Sequence, residues 1–316
     1  MTTLLPPRPP AAPDDPSRGR PVRPGGSART RPGLLWTLPA TVFFLFFAVV
    51  PLIAVAVLSF TTWGGLGQPS FVGAENWQDL ADDSTMQKSL WLSLLFIVLG
   101  VVTQTPMSIL LGVWAAGPQR NRAVLSAIFF VPLLLSSAAI SVLWRALLDP
   151  NFGIPGQMRW LFGDGNLFGN QATAIGVIIF VGIWQFTPFH TLLYQGAAKS
   201  VPPVLYQAAA IDGAGRIRQF FSITLPQLRN TIITSVILMV VGGLTTFETV
   251  LILTNGGPGT DTTITAFYMF EQAFRRFDFG YASAVALVLV VVATAISLVM
   301  VKVSGYDKMR STMEGV

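Results

Sequence analysis

The sequence predicts an all-α integral membrane protein with six transmembrane helices and both termini in the cytoplasm. Three observations carry this prediction. Of 316 residues, 52% are hydrophobic and only 11% are charged, whereas a soluble domain carries roughly a quarter charged residues. Several apolar runs reach the roughly 20 residues that cross a hydrocarbon core of about 30 Å. Lysine and arginine also sort between alternate loops, as they do around membrane spans.

Residues 1–33 are rich in Pro, Arg, Gly and Ser and cannot bury enough apolar surface to order themselves. They are expected to be a disordered cytoplasmic tail, with arginines that offer an electrostatic tether to membrane lipid. Ala54-Val55-Ala56 is a small-x-small site, but the apolar run before it is too long for a signal peptide. A retained helix is expected there. The six-helix domain is expected over residues 34–304, with spans at 34–60, 90–114, 123–147, 172–194, 231–253 and 281–303, and a second cytoplasmic tail at 305–316. Pro39, Pro51, Pro106, Pro132 and Pro188 fall inside these runs. Inside a bundle, neighbouring helices can satisfy the carbonyls that proline frees.

With the N-terminus inside, fifteen of the twenty basic residues face the cytoplasm. They include Arg8, Arg18, Arg20, Arg23, Arg29 and Arg31 in the tail and Arg120 and Arg122 in one loop. Lys199, Arg216, Arg218 and Arg229 lie in another loop, and Lys302, Lys308 and Arg310 lie at the end. Lys88, Arg145, Arg159, Arg275 and Arg276 remain outside. The outer loops are acidic, and Asp82-Asp83 within them reads as a solvated charge run rather than a metal-binding pair. Trp63, Trp77, Trp91, Trp144 and Trp160 are expected in an outer aromatic belt.

The inventory argues against an enzyme and against a nucleic-acid binder. There is no cysteine, His190 is the only histidine, and the net charge of +5 is spread over loops. A membrane enzyme would need a constellation of acid, base and nucleophile or metal ligands. The Gly-x-x-x-x-Gly-Lys-Ser/Thr phosphate loop is missing from the sequence, so hydrolysis of ATP by that route is excluded. Asn255-Gly256-Gly257-Pro258-Gly259 lacks the lysine and is expected to be an outer turn or a binding-protein contact.

One polar insert between apolar runs, residues 200–228, stands out. Pro202 and Pro203 suit the opening of a helix, expected over residues 204–211. Ala208, Ala209 and Ala210 would let a partner approach the backbone closely. Asp212-Gly213 is a turn signal, with glycine free to take positive φ. A second short helix is expected over 214–222, with Ile217, Phe220 and Phe221 on its apolar side and Pro226 ending it. The product is a helix–turn–helix elbow on the cytoplasmic face.

These residues resemble the EAA loop of binding-protein-dependent ATP-binding-cassette importer permeases. That pattern falls on Gln207-Ala208-Ala209, Gly213, Ile223 and Leu225-Pro226 with the family's spacing. Asp212 and Ala214 complete the Ile-Asp-Gly-Ala string of its carbohydrate branch. Gln207 stands where Glu is usual, keeping hydrogen bonding without the charge, and Asn230 stands where Pro often follows Leu-Arg. The stretches SFTTW (59–63), FVGAENW (71–77), LWRALLDPNFG (143–153), LTNGGPGTDTT (253–263) and AFRRFDFGYASA (273–284) are also similar to that branch.

The resemblance implies a type I importer permease of the maltose, lactose or glycerol-phosphate kind. Its implied partners are a second homologous permease, two copies of an ATPase that bind ATP and Mg, an extracytoplasmic solute-binding protein and a sugar. No cofactor is expected on this chain. The implied mechanism is alternating access, with the elbow turning closure of the ATPase dimer into helix rotation.

Glu248 is the acidic residue expected within a span, where a charge is costly and should face the interior. Thr245 and Asn255, at i−3 and i+7, are expected on its helical face. Gln104, Trp184 and Gln185 complete a candidate solute path, since amides, carboxylates and aromatic faces suit sugars. The competing expectation is polar packing between helices. His190 is expected near the cytoplasmic end of the fourth span, in helix-end hydrogen bonding. A glycerol-phosphate permease is the alternative, but an anionic solute would want interior Lys or Arg, and none is central. A secondary transporter would show several intramembrane charges or inverted repeats.

Overall fold

A computed structural model describes residues 36–117 and 120–304; the two expected tails, residues 1–33 and 305–316, lie outside these, as do the Arg120 and Arg122 side chains. The chain divides into two compact units, Met1–Pro51 and Leu52–Val316. The described part of the first unit is helix α1 (Leu38–Phe44), with Pro39 in its first turn, followed by a π-helical turn at Leu45–Val49. Its side chains are mostly exposed and, apart from Thr41, apolar, with the Phe43 and Phe47 rings 4.6 Å apart. A largely apolar, exposed helix of this kind suits lipid or a partner helix.

α2 (Val50–Leu58) leads into a short antiparallel hairpin, Thr61–Thr62 against Ser70–Phe71. Two resembling stretches, 59–63 and 71–77, meet here. Asn76 Nδ2 donates to the carbonyls of Ser59 at 2.9 Å and Thr61 at 2.8 Å. α3 (Glu75–Asp82) is followed by α4 (Ser84–Ala115). The Asp83 carboxylate caps α4 by accepting from the Thr85 and Met86 amides at 2.8 and 3.2 Å.

The expected third span is broken. α5 (Arg120–Phe129), a 3₁₀ turn at Val131–Leu134 and α6 (Ser137–Leu147) replace one helix. Pro132 sits in the first turn of the 3₁₀ segment, where its missing N–H costs nothing. The Ser136 hydroxyl then caps α6 by accepting from the Ala139 amide at 3.2 Å. Pro106 and Pro188, by contrast, sit inside unbroken helices. Trp144, expected in an outer belt, instead packs edge-on to Phe180 and Trp184 beside the main core cluster.

Two short helices, α7 (Ile154–Gln157) and α8 (Arg159–Phe162), precede α9 (Gln171–Ser200). α9 is longer at both ends than the expected span. The elbow helices α10 (Pro203–Ile211), α11 (Arg216–Gln219) and α12 (Leu225–Gln227) follow, then α13 (Arg229–Thr245). The expected fifth span is also broken: Thr246 is extended, and a separate helix α14 (Glu248–Leu253) begins after it. The Thr245 and Thr246 hydroxyls both bond the Gly242 carbonyl, at 3.1 and 2.8 Å, and so satisfy the frayed end. α15 (Thr265–Phe274), which was not anticipated, leads to α16 (Phe279–Ser304).

Four helices among the described residues are long and apolar enough to cross a membrane: Leu38–Leu58, α4, α9 and Phe279–Lys302 of α16. A fifth arises if Arg216–Gln227 and α13, bent by 66° at Leu228, count as one span. α4 and α9 approach closely at Gly112, where a Cβ would lie 2.7 Å from Tyr194 Cβ and 2.9 Å from the Thr191 carbonyl oxygen. Small residues that let backbones approach are the usual means of helix association in lipid. Ile140, Val181, Val250 and Phe267 form one core cluster, and Ile97, Val240, Leu244 and Leu289 another.

Candidate functional site

The elbow is built by backbone closure. α10 ends with the Gly213 amide donating to the Ala210 carbonyl at 3.1 Å and the Ala214 amide to the Ala209 carbonyl at 2.8 Å. This is the Schellman pattern, with Gly213 at φ +75°. A Cβ there would meet nothing within 4 Å, so the requirement for glycine is conformational within this chain. Gln219 Nε2 donates to the Ala214 carbonyl at 2.8 Å and braces the turn. Tyr206 Oη and Thr224 Oγ1 share a 2.9 Å hydrogen bond between the two limbs.

The second limb departs from the expected helix over 214–222. After α11, residues Phe220–Thr224 form a π-helical turn, and Pro226 opens α12 instead of ending a helix. The expected apolar side also splits. Phe220 packs with Leu225 against the buried cluster of Ile109, Tyr194 and Leu228. Ile217 and Phe221 point the other way, 77% and 60% exposed, and Ile211 at the tip is 87% exposed. Gln207, Ala208, Asp212, Gly213 and Pro226 are exposed, and Ala209, Ala214, Ile223 and Leu225 are half-buried. The elbow is thus anchored by Phe220, Leu225 and Leu228 and presents an apolar tip flanked by Arg216 and Arg218.

A cavity of about 490 Å³ lies within the bundle, lined by residues of α4, α9, α13 and α14. That volume falls in the range of small-molecule sites. Its lining is mostly apolar, with Gln104, His190, Thr246 and Thr249 as polar members and no Asp, Glu, Lys or Arg among the described residues. Gln104 is 6% exposed, and its Nε2 has no hydrogen-bond partner. His190 is not at a helix end: it lies inside α9 and its Nδ1 is 2.8 Å from Ser235 Oγ on α13.

Of the six residues expected along a solute path, only Gln104 lines this cavity. The break at Thr246 removes the shared face expected for Thr245, Glu248 and Asn255. Thr245 is exposed, and its hydroxyl bonds its own helix at Val241 and Gly242. Glu248 is half-buried in the first turn of α14, where a helix dipole favours a carboxylate. Its neighbours Thr246 and Thr249 line the cavity, whereas Glu248 does not. Asn255 follows α14 at φ +52°, and its Oδ1 accepts from Arg275. Gln185 donates to the Leu135 carbonyl at 3.4 Å and to Ser137 Oγ at 3.2 Å, and Trp184 stacks edge-on to Trp144. Thr246, Thr249 and Ser235, the partner of His190, are the polar groups the sequence did not single out. Their hydroxyls look like ordinary helix residues until the neighbouring helix is in place.

The bundle end opposite the elbow is tied by charged groups. Asp83, expected to be a solvated loop charge, instead accepts hydrogen bonds from the hydroxyls of Tyr268 and, at 2.7 Å, Tyr281. Burial pushes its carboxyl up, but these two bonds and the two amide bonds outweigh that and hold it below the ordinary carboxylate value. Asp149, in an exposed turn, is also held low by the Phe152 and Asn151 amides. Lys88 Nζ lies 2.6 Å from Asp261 Oδ1. Arg275 pairs with Glu271 at 3.0 Å and lies over the Phe267 ring. The residues from Asn255 to Gly259 form a turn, with Asn255, Gly256 and Gly259 at positive φ.

The family described as "Binding-protein-dependent transport system inner membrane component" matches residues 108–304. The chain is 30% identical over 267 residues to the multiple sugar-binding transport system permease protein MsmF of Streptococcus mutans, covering 83% of this chain and 90% of that protein. It is 31% identical over 295 residues to the diacetylchitobiose uptake system permease protein NgcF of Streptomyces coelicolor, covering 85% and 83%. Its fold matches a chain in the crystal structure of a bacterial alginate ABC transporter in complex with an alginate pentasaccharide-bound periplasmic protein. That match has a TM-score of 0.75 at 22% identity and covers 88% of this chain and 96% of that one. The matched family region runs from within α4 to the end of α16 and contains the whole elbow, and the chain belongs to the family of binding-protein-dependent transport system inner membrane components.

Proposed function

We propose that this chain is one membrane-spanning subunit of an ATP-binding-cassette importer that carries a mono- or oligosaccharide across the cytoplasmic membrane of a prokaryote. The observation that carries the reading is the elbow. An apolar tip of Ile211, Ile217 and Phe221 stands clear of the bundle while its root is packed into it. Such a patch on a rigid, anchored turn suits a docking contact.

In this reading the six spans are α1–α2, α4, α5–α6, α9, α13–α14 and α16, with the third and fifth interrupted and both tails cytoplasmic. Breaks of this kind are tolerated in membranes where backbone lines a cavity or is buried in protein. The chain carries no cofactor of its own, and ATP and Mg belong to two copies of a separate ATPase docked at the elbow. A second permease completes the pore, and an extracytoplasmic binding protein delivers the solute to the outer loops. The sugar-related names of two relatives and the alginate-bound complex of similar fold support the substrate class. The uncharged cavity lining favours a neutral solute over glycerol phosphate or another anion. Gln104, Thr246 and Thr249 are the groups placed to bond sugar hydroxyls, with Glu248 adjacent.

The test is purification of the tagged chain from its own host, followed by reconstitution in liposomes with the proteins that accompany it. ATP hydrolysis stimulated by sugar-loaded binding protein, and uptake of that sugar, are expected. Thr249→Val and Gln104→Leu should each weaken uptake about tenfold if each loses a charge-free hydrogen bond worth about 1.4 kcal/mol. Absence of any nucleotide-hydrolysing partner, or external labelling of the elbow in intact cells, would overturn the assignment.

A further inference from the structure

The glycines inside α4, α9 and α13 differ in what surrounds them. Gly112 and Gly243 are packing residues: a Cβ would lie 2.7 Å from Tyr194 Cβ at the first and 2.8 Å from Ile97 Cγ1 at the second. A Cβ on Gly100, Gly182 or Gly242 would meet nothing within 4 Å, and all three line the cavity of about 490 Å³. Glycine inside a helix is destabilising relative to alanine, and no atom of this chain requires it at these three positions. They also stand at one level. Gly243 against Ile97, with Thr105 Oγ1 3.6 Å from Met239 Sδ, sets Gly242 within about one turn of Gly100. Ser108 Oγ donates to the Thr187 carbonyl at 3.5 Å, which brings Gly182 to the same level on α9. One turn on from each glycine stands a cavity-lining group: Gln104, Phe186 and Thr246. Gln104 is 6% exposed and its Nε2 has no partner. The Thr246 hydroxyl donates to the Gly242 carbonyl at 2.8 Å, and its oxygen can still accept.

We propose that Gly100, Gly182 and Gly242 are the size-determining residues of the solute site, their bare backbone forming the seat of one sugar ring. A sugar ring is flat, with an apolar C–H face and hydroxyls around its edge. Three helices without side chains at one level let such a ring reach the cavity wall. Phe186 meets its C–H face, and the Gln104 carboxamide and Thr246 hydroxyl meet its edge, as a few placed polar groups do in an otherwise apolar site. A side chain on any of the three glycines takes the space of the ring rather than colliding with protein. The inference rests on the sugar-importer reading and adds to it the residues that limit the bulk of the solute.

The chain has no cysteine, so Gly100→Cys, Gly182→Cys and Gly242→Cys each introduce a single thiol. The assembled complex in liposomes is treated with methanethiosulfonate ethyltrimethylammonium, a water-soluble thiol reagent, and the adduct on this chain is read by intact mass. All three thiols are expected to react, and the adduct should stop sugar uptake. Unreactive thiols mean that lipid or another subunit fills the space, and overturn the proposal. In a second arm, alanine at each of the three positions should lower uptake about tenfold, the discrimination that one methylene gives in a pocket. Melting temperatures of the alanine variants should be at or above that of the parent, because the added Cβ meets no atom. Gly176 is also surrounded by open space on α9 but is exposed and outside the cavity, so Gly176→Leu should leave uptake unchanged. Alanine variants that take up sugar as the parent does overturn the proposal, as does a loss in Gly176→Leu as large as in Gly182→Leu. A parent complex that takes up no sugar overturns the importer reading and this assignment with it. A parent that takes up sugar beside unaffected alanine variants overturns this assignment alone.

Discussion

Tyr206 and Thr224 join the two limbs of the elbow through a single 2.9 Å hydrogen bond. Thr224 is buried at the root, beside the cluster that fixes Phe220 and Leu225 to α4 and α9. Motion of α10 can therefore reach the bundle along three routes: this bond, the backbone through Gly213, and the short link to α9 at Val201-Pro202.

Removing the bond should loosen coupling more than folding. Tyr206→Phe deletes one neutral hydrogen bond, worth about 1 kcal/mol. The expected outcome is a near-normal melting temperature, ATP hydrolysis that persists and uptake that falls. Thr224→Val should do the same, and the double variant should be no worse than either single one, because both remove one interaction. Additive losses in a double-mutant cycle would show that the two residues act separately.

Gly213 allows backbone strain to be separated from contact with a partner. Any side chain at φ +75° carries a left-handed penalty of about 1–2 kcal/mol. The space around the position is empty within this chain, so bulk adds no internal clash. Gly213→Ala and Gly213→Trp should thus be destabilised similarly in thermal melts. If the turn seats in another protein, only the Trp variant should lose ATPase association and uptake. Equal activity in the two variants would remove Gly213 from the contact.

The first limb of the elbow and its turn were legible in the sequence because their information is local, whereas the second limb was not. Gly213 takes the positive φ that the Asp-Gly signal demands, and Pro203 opens α10 as proline does. The breaks in the third and fifth spans were not legible, because hydropathy is blind to them. Pro106, Pro132 and Pro188 look alike in an apolar run, yet only Pro132 coincides with a downstream serine cap. Thr245-Thr246 ends α13 with no proline or charge to mark it. The shared face expected for Thr245, Glu248 and Asn255 failed for that reason: helical periodicity holds only while the helix continues. The cavity's polar members are drawn from three helices and the break between α13 and α14, and no spacing rule brings Gln104 to Thr249.

Gly112 should be sensitive to the addition of a single methyl group. Its hydrogen faces Tyr194 Cβ and the Thr191 carbonyl at distances a methyl group cannot share. The carbonyl is backbone and cannot rotate away, so α4 and α9 must separate. Gly112→Ala should destabilise by about 1–3 kcal/mol, seen as a lower melting temperature in detergent. Gly100, which has open space around it, should accept alanine with little change. A Gly112→Ala protein as stable as the parent would mean that the two helices are not in contact there.

Asp83 joins the start of α4 to α15 and α16 by accepting from Tyr268 and Tyr281. Its carboxyl is held below the ordinary value of 3.8. For an acid with a depressed folded value, the unfolded chain binds the proton first as pH falls. The stabilisation is therefore complete at neutral pH, begins to fade as pH approaches the ordinary carboxylate range, and is lost as pH drops through the lower folded value. Asp83→Ala should remove the acceptor from both hydroxyls and two helix-start amides, at a cost of about 2 kcal/mol. It should also flatten the acid limb of a melting curve measured between pH 3 and 7. An unchanged pH dependence in this variant would show that another carboxylate governs the acid transition.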